Sequence, residues 1–170
     1  TVVRAFLKCT YDVYAEKLGN DFGGATMPGF FTDEPQFARC KTPWSYVLPK
    51  EFEKDNGYDP IPYLPMLFIE REGYEKFRFD FWHTVSRLYT ESFGKQIYDW
   101  CEEHNCKFTG HAMMEDNLYC QMACTAGVMP LYEYMHIPGM DWLGRNISSP
   151  LIPKQVGSAA KQLGKKHALS

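Results

Sequence analysis

The chain has 170 residues and 19.7 kDa, with 18 Lys+Arg against 21 Asp+Glu and a formal net charge of −3. That balance argues against a general nucleic-acid or anionic-membrane binder, which needs a basic surplus. An apolar share of 45% with 23% charged residues excludes wholesale disorder, and the longest apolar stretch, residues 63–69, falls far short of the roughly 20 residues that span a bilayer.

Val3, Phe6, Leu7, Tyr11, Tyr14 and Leu18 recur at three- and four-residue spacing and predict a helix over residues 2–18. Gly19 to Gly24 break it. Met27-Pro-Gly-Phe-Phe-Thr-Asp-Glu-Pro35 reads as a short buried strand ending in two carboxylates, with Pro35 closing the ladder. A helix is expected over residues 46–56, stopped by Gly57, followed by a proline-rich ordered loop over 59–67. Residues 74–105 carry Phe77, Phe81, Val85, Leu88, Ile97 and Trp100 on one face, with Phe93 or Ser92 between them. Asp80, Arg87, Glu91, Lys95 and Glu102 lie elsewhere, so the segment predicts a long amphipathic helix. Residues 107–115 form the next expected strand, 117–127 a helix, 131–136 a strand and 138–142 a loop. A helix over 153–166 has Pro153 in its first turn, and 167–170 reads as the start of another strand.

This alternation is the signature of the α/β class with parallel strands. Acids and histidines fall where strands end, which in a β/α barrel is the catalytic face. A full (β/α)8 TIM barrel runs to about 250 residues, whereas about four strand-helix units are found here. The chain therefore reads as part of such a barrel, a single fragment over residues 1–170 without an internal boundary. It begins at Thr1 without Met, as expected of a processed chain or a piece of a longer one.

Phe (12), Tyr (11) and Trp (4) far outnumber Val and Ile. Such a composition fills an aromatic core or lines a cleft that stacks rings on a ligand. The six cysteines, Cys9, Cys40, Cys101, Cys106, Cys120 and Cys124, lack the short paired knuckles of structural zinc sites. Free buried thiols are expected, fitting a reducing compartment or an anaerobic source.

The candidate chemistry lies at the strand ends. Asp33 and Glu34 close the first strand. Adjacent strand residues face opposite ways, so both reach one cleft only if the backbone turns. His111 and Glu115 follow the second strand, and Asp141 and Trp142 follow a Pro-Gly turn. Two carboxyl groups flanking a bond divide acid and base work in glycosidic cleavage, and Trp44, Tyr119, Tyr132 and Trp142 are candidate sugar platforms. Each residue has a plainer reading. Asp33-Glu34 fits a solvated turn or helix cap, Asp116 or Asn117 fits an N-cap, and His111 fits a hydrogen-bonded core residue.

Gly29-Phe-Phe-Thr-Asp-Glu-Pro35, Gly57-Tyr-Asp59 with Leu64-Pro65, Arg78-Phe-Asp-Phe-Trp82, Gly110-His111 with Glu115, Pro138-Gly-Met-Asp141 and Lys154-Gln155 with Ser158 together resemble the barrel region of bacterial glycoside hydrolases. The closest resemblance is to family 106, the α-L-rhamnosidases, and it runs through nearly all of the chain. It implies an inverting hydrolase on a (β/α)8 barrel, within a long, exported, multidomain enzyme of plant-polysaccharide breakdown. By that likeness Glu34 is the general acid with Asp33 beside it, and the partner carboxylate follows a strand resembling Ala168-Leu169-Ser170. A calcium ion near the sugar belongs to the same implication, although the chemistry requires no cofactor. An apolar surround of Phe30, Phe31 and Trp44 is expected for the acid. Glu115 is the second catalytic candidate, as a retaining acid/base or a hydroxyl-binding group. Asp33, Trp44, His111, Asp141 and Trp142 are the candidate substrate-binding residues.

Two other readings stand beside this one. Asp33, Glu34, His111, Glu115, His136 and Asp141 offer oxygen and nitrogen ligands for a metal-dependent barrel hydrolase or isomerase, although no close His-x-His pair supports it. A non-catalytic sugar-binding or structural fragment is the other. The expected partner is a carbohydrate, with no nucleic acid and no membrane span. Exposed edges of an incomplete barrel invite self-association, and the fragment alone is expected to be inactive.

Overall fold

Gly29–Asp33 (β1), Lys107–His111 (β2) and Ile137–Pro138 (β3) run parallel in the order β1-β2-β3 in the computed structural model, which describes residues 2–37, 42–141 and 149–169. In the β1–β2 register Phe30 pairs with Phe108 and Asp33 with His111, while Gly110 pairs with Pro138 across β2 and β3. A further parallel bridge joins Gly139 to Leu169, through Leu169 N–H to Pro138 O (3.0 Å) and Met140 N–H to Leu169 O (3.0 Å). The segment expected to enter the sheet after residue 167 does so beside β3. Ser170 lies outside the described residues.

Strand alternation sorts the two faces. Phe30 and Phe108 point toward the helices. Phe30 stacks on Tyr11 with ring centroids 3.6 Å apart and meets Trp100 edge-on at 5.8 Å, and Phe108 is fully buried. Phe31, Asp33 and His111 occupy the other face, where Phe31 is half exposed and its ring contacts that of His111 at 5.5 Å.

The expected helix over 2–18 is two, Val2–Cys9 (α1) and Tyr11–Leu18 (α2). The break is at Thr10, whose hydroxyl donates to Phe6 O at 2.6 Å, a side-chain bond that competes with continuation of the helical ladder. The break lets Tyr11 turn inward onto Phe30. Asp12 accepts from the Trp100 indole N–H at 2.8 Å.

Leu48–Asn56 (α3) ends at Gly57, and the proline-rich stretch Ile61–Leu67 is a 3-10 helix. The long amphipathic helix is Tyr74–Tyr89 (α4), a π-helical segment Thr90–Lys95 and Gln96–Glu103 (α5). The wider π turn falls where the apolar stripe leaves Ser92 and Phe93 interchangeable. It also divides the burial. Phe77, Phe81 and Val85 pack with Leu48 and Phe52, whereas Ile97, Trp100 and Cys101 join the cluster beneath the sheet. Gly94 faces Leu131 so closely that a Cβ would stand 2.8 Å from its Cδ1.

A Schellman motif closes α5 and launches β2. Cys106 N–H donates to Cys101 O (3.0 Å), Asn105 N–H to Glu102 O (3.3 Å), and Asn105 takes a left-handed φ of 54°. The buried pair Cys101 and Cys106 supplies the apolar contact that accompanies this motif. Cys101, Cys106 and Cys124 are buried free thiols, as expected, whereas the free thiols of Cys9 and Cys120 are exposed and half-buried; Cys40 lies outside the described residues.

Leu118–Thr125 (α6) starts at Asn117, whose side chain accepts from Cys120 N–H at 2.9 Å, one of the two caps anticipated. The expected strand over 131–136 is instead the short helix Met129–Glu133 (α7), and the strand follows at Ile137. Pro130 sits in the first turn of α7, and Leu131 and Tyr132 are both fully buried. Helix Leu151–Gln162 (α8) completes the described elements. Among the described residues no helix is long and apolar enough to cross a membrane.

Candidate active site

Parallel pairing brings the C-terminal ends of β1, β2 and β3 together, and with them the acids and histidine that the sequence places there. At the end of β1, Glu34 adopts φ 49°, a left-handed conformation that costs a non-glycine residue about 1–2 kcal/mol. This is the backbone turn that two successive carboxylates need in order to share one end of the sheet. Asp33 Oδ1 then stands 3.1 Å from His111 Nε2. Glu34, His111 and Asp141 each bring one ligand-type atom to a common point, all within 4.8 Å of one another. His111 is 8% exposed, and its Nδ1 is buried with no hydrogen-bond partner among the described residues.

Glu115 lies beneath this cluster. It is 4% exposed. Its Oε1 accepts from Ala112 N–H at 2.7 Å and lies 3.4 Å from the Tyr132 hydroxyl, and its Oε2 accepts from Asp141 N–H at 3.3 Å. A left-handed Met114 (φ 53°) folds the chain back so that Glu115 reaches Ala112. Burial pushes the Glu115 carboxyl above the usual carboxylate range, opposed by the two amide bonds, by the nearby His111 and by Tyr132.

The remaining anticipated residues disperse. Phe30 faces the helices and contributes nothing to the surround of Glu34, while Phe31 and Trp44 are each about half exposed. Tyr132 is fully buried under Glu115 and cannot present its ring to a sugar; Tyr119 is 82% exposed at the start of α6. His136 lies away from the cluster, at the opening of β2, with Nδ1 accepting from Phe108 N–H at 2.9 Å and Nε2 against Glu102 Oε1 at 2.5 Å. Trp142 lies outside the described residues.

One contributor went unread. Gln121, 2% exposed, donates to Glu115 O at 2.7 Å and to Gln155 Oε1 at 2.8 Å, and Gln155 returns a bond at 3.2 Å. An uncharged amide on the buried face of an apolar helix was the available signal, because such a group must find partners.

A parallel β/α sheet with carboxylates gathered at its strand ends offers groups suited to acid–base chemistry, on an architecture that hosts many functions. The family model described as alpha-L-rhamnosidase, glycoside hydrolase family 106, matches residues 1–130, and the chain belongs to that family. No curated protein matches the chain. Among solved structures it is similar to a rhamnosidase from Novosphingobium sp. PP1Y, with a TM-score of 0.74 and 24% identity over 96% of this chain. The chain spans 16% of the length of that protein.

Proposed function

We propose that the full-length protein is an α-L-rhamnosidase, with Glu34 protonating the departing glycosidic oxygen and residues 1–170 forming part of a (β/α)8 barrel. The observation that carries this reading is the left-handed turn at Glu34, which sets its carboxylate beside His111 and Asp141 at the open strand ends of a family-106 chain. Asp33, His111 and Asp141 then serve as hydroxyl-binding groups, with Trp44 and Trp142 as sugar platforms. Inversion separates its two carboxyls by about 6.5–9.5 Å to admit water. The Glu34 and Asp141 oxygens lie within 4.8 Å, which supports a base other than Asp141, supplied by the full-length protein outside the described residues. Activity is accordingly assigned to the full-length protein and not to this chain alone, in an exported bacterial enzyme of polysaccharide breakdown. An incomplete barrel edge would support self-association of the isolated chain.

The same cluster favours one second reading, a divalent cation held by Glu34, His111 and Asp141. The two carboxylates are the hard oxygen donors that calcium takes, whereas the His111 imidazole suits transition metals. A calcium ion would therefore rest on Glu34 and Asp141, with His111 left to substrate.

Hydrolysis of an aryl glycoside panel by the full-length protein tests the proposal. Cleavage of the α-L-rhamnoside with inverted product supports it, and selective cleavage of another glycoside refutes the sugar. Tight stoichiometric metal in protein purified without added ions would favour the second reading.

A further inference from the structure

We propose that Glu115 is a positioning residue that fixes the spacing of the strand-end groups, clamped from behind by Gln121 and Gln155. This rests on the glycosidase reading for its kinetic consequence, and on geometry alone for its structural one. Both Glu115 oxygens are committed to main-chain N–H groups, one at Ala112 beside His111 and the other at Asp141 itself. With 4% exposure, the carboxylate has no face left for a sugar. Its three partners come from three elements: the end of β2, the segment after β3, and α7 through Tyr132. A single side chain thereby holds His111 and Asp141 in register.

The clamp behind it is reciprocal. One Gln121 Nε2 serves both Glu115 O and Gln155 Oε1, and Gln121 Oε1 accepts from Gln155. This joins α6 to α8 behind the Glu115 main chain. Reciprocal hydrogen bonds of this kind, with Gln121 buried, favour one arrangement, so the clamp transmits the helix positions to the site.

Glu115→Gln in the full-length protein tests this in two ways. A general acid and a positioning residue differ in leaving-group dependence. For a positioning residue, turnover of dinitrophenyl and of poor-leaving-group α-L-rhamnosides falls by the same factor, about 10- to 100-fold. Loss confined to the poor leaving group would make Glu115 the acid and overturn the proposal. Independently of activity, Glu115→Gln should speed hydrogen exchange at the Ala112 and Asp141 amides while distant helices keep their protection. Gln121→Leu should do the same more weakly. Unchanged exchange at both amides would overturn the proposal even if the enzyme were inactive on every rhamnoside, an outcome that would by itself refute only the assigned function.

Discussion

His111 Nε2 meets Asp33 Oδ1 at 3.1 Å, and the two residues are register partners across β1 and β2. The contact is asymmetric: the imidazole is 10% exposed and the carboxylate 78%. An exposed partner contributes little to stability, yet it decides which way the ring is held.

Asp33→Asn should therefore separate the two effects. The melting midpoint of the full-length protein stays close to that of the wild type, while turnover falls by about tenfold or more through misorientation of His111. Parallel thermal melts and rates check this. A large loss of stability with proportionate loss of rate would make the contact structural.

Gly110, like Gly29, is a point where the first two strands approach too closely for a side chain. A Cβ there would stand 2.2 Å from Thr32 O and 2.5 Å from Thr32 Cγ2, at a backbone φ of 149°. Gly110→Ala forces β1 away from β2 and strains the backbone, a combination that should destabilise the protein by on the order of 3 kcal/mol. Because Gly110 precedes His111 and faces Thr32, the same change should lower activity at permissive temperature. Denaturant unfolding of the domain, read beside residual activity, is the check.

What the sequence disclosed and what it hid divide along one physical line. The strand ends were legible: Asp33, Glu34, His111, Glu115 and Asp141 fall at one end of the sheet because a short strand leaves its polar terminus where its apolar run stops. The helix over 74–105 was legible from its stripe, and even the π turn left a trace in the choice between Ser92 and Phe93. The segment at 131–136 misled, since a short apolar run does not distinguish a buried strand from a buried helix, and Pro130 in a first turn was the cue for helix. The depth of Glu115 was hidden because its partners Tyr132 and Asp141 lie 17 and 26 residues away. Nothing local records them. Phe30 illustrates the same limit: four residues before Glu34, it shares a face with it by strand alternation, but the left-handed turn at Glu34 carries the carboxylate to His111 and Asp141 instead.

His136 gives a pH dependence remote from the site. Its side chain is 6% exposed and stacks on Tyr98 at 4.2 Å. With Nδ1 accepting from Phe108 N–H, the neutral ring carries its proton on Nε2, facing Glu102. Burial lowers its pKa below the usual 6.5, with Glu102 opposing. Between the folded and unfolded values the unfolded chain binds more protons, so stability is full above about pH 6.5 and declines as pH falls through the folded value. Protonation at Nδ1 would also cost the Phe108 bond. Hydrogen exchange at β2, corrected for intrinsic pH effects, should accelerate on acidification, and His136→Asn should flatten that response.

The most direct measurement is the leaving-group dependence of Glu34→Gln in the full-length protein. A general acid is needed when the departing oxygen is basic and dispensable when it is not. Hydrolysis of an α-L-rhamnoside with a poor leaving group should fall by about 10²- to 10⁴-fold, while the dinitrophenyl α-L-rhamnoside is cleaved at close to the wild-type rate. Undiminished cleavage of the poor-leaving-group substrate, or an equal loss on both, would contradict the assignment of Glu34 as the acid.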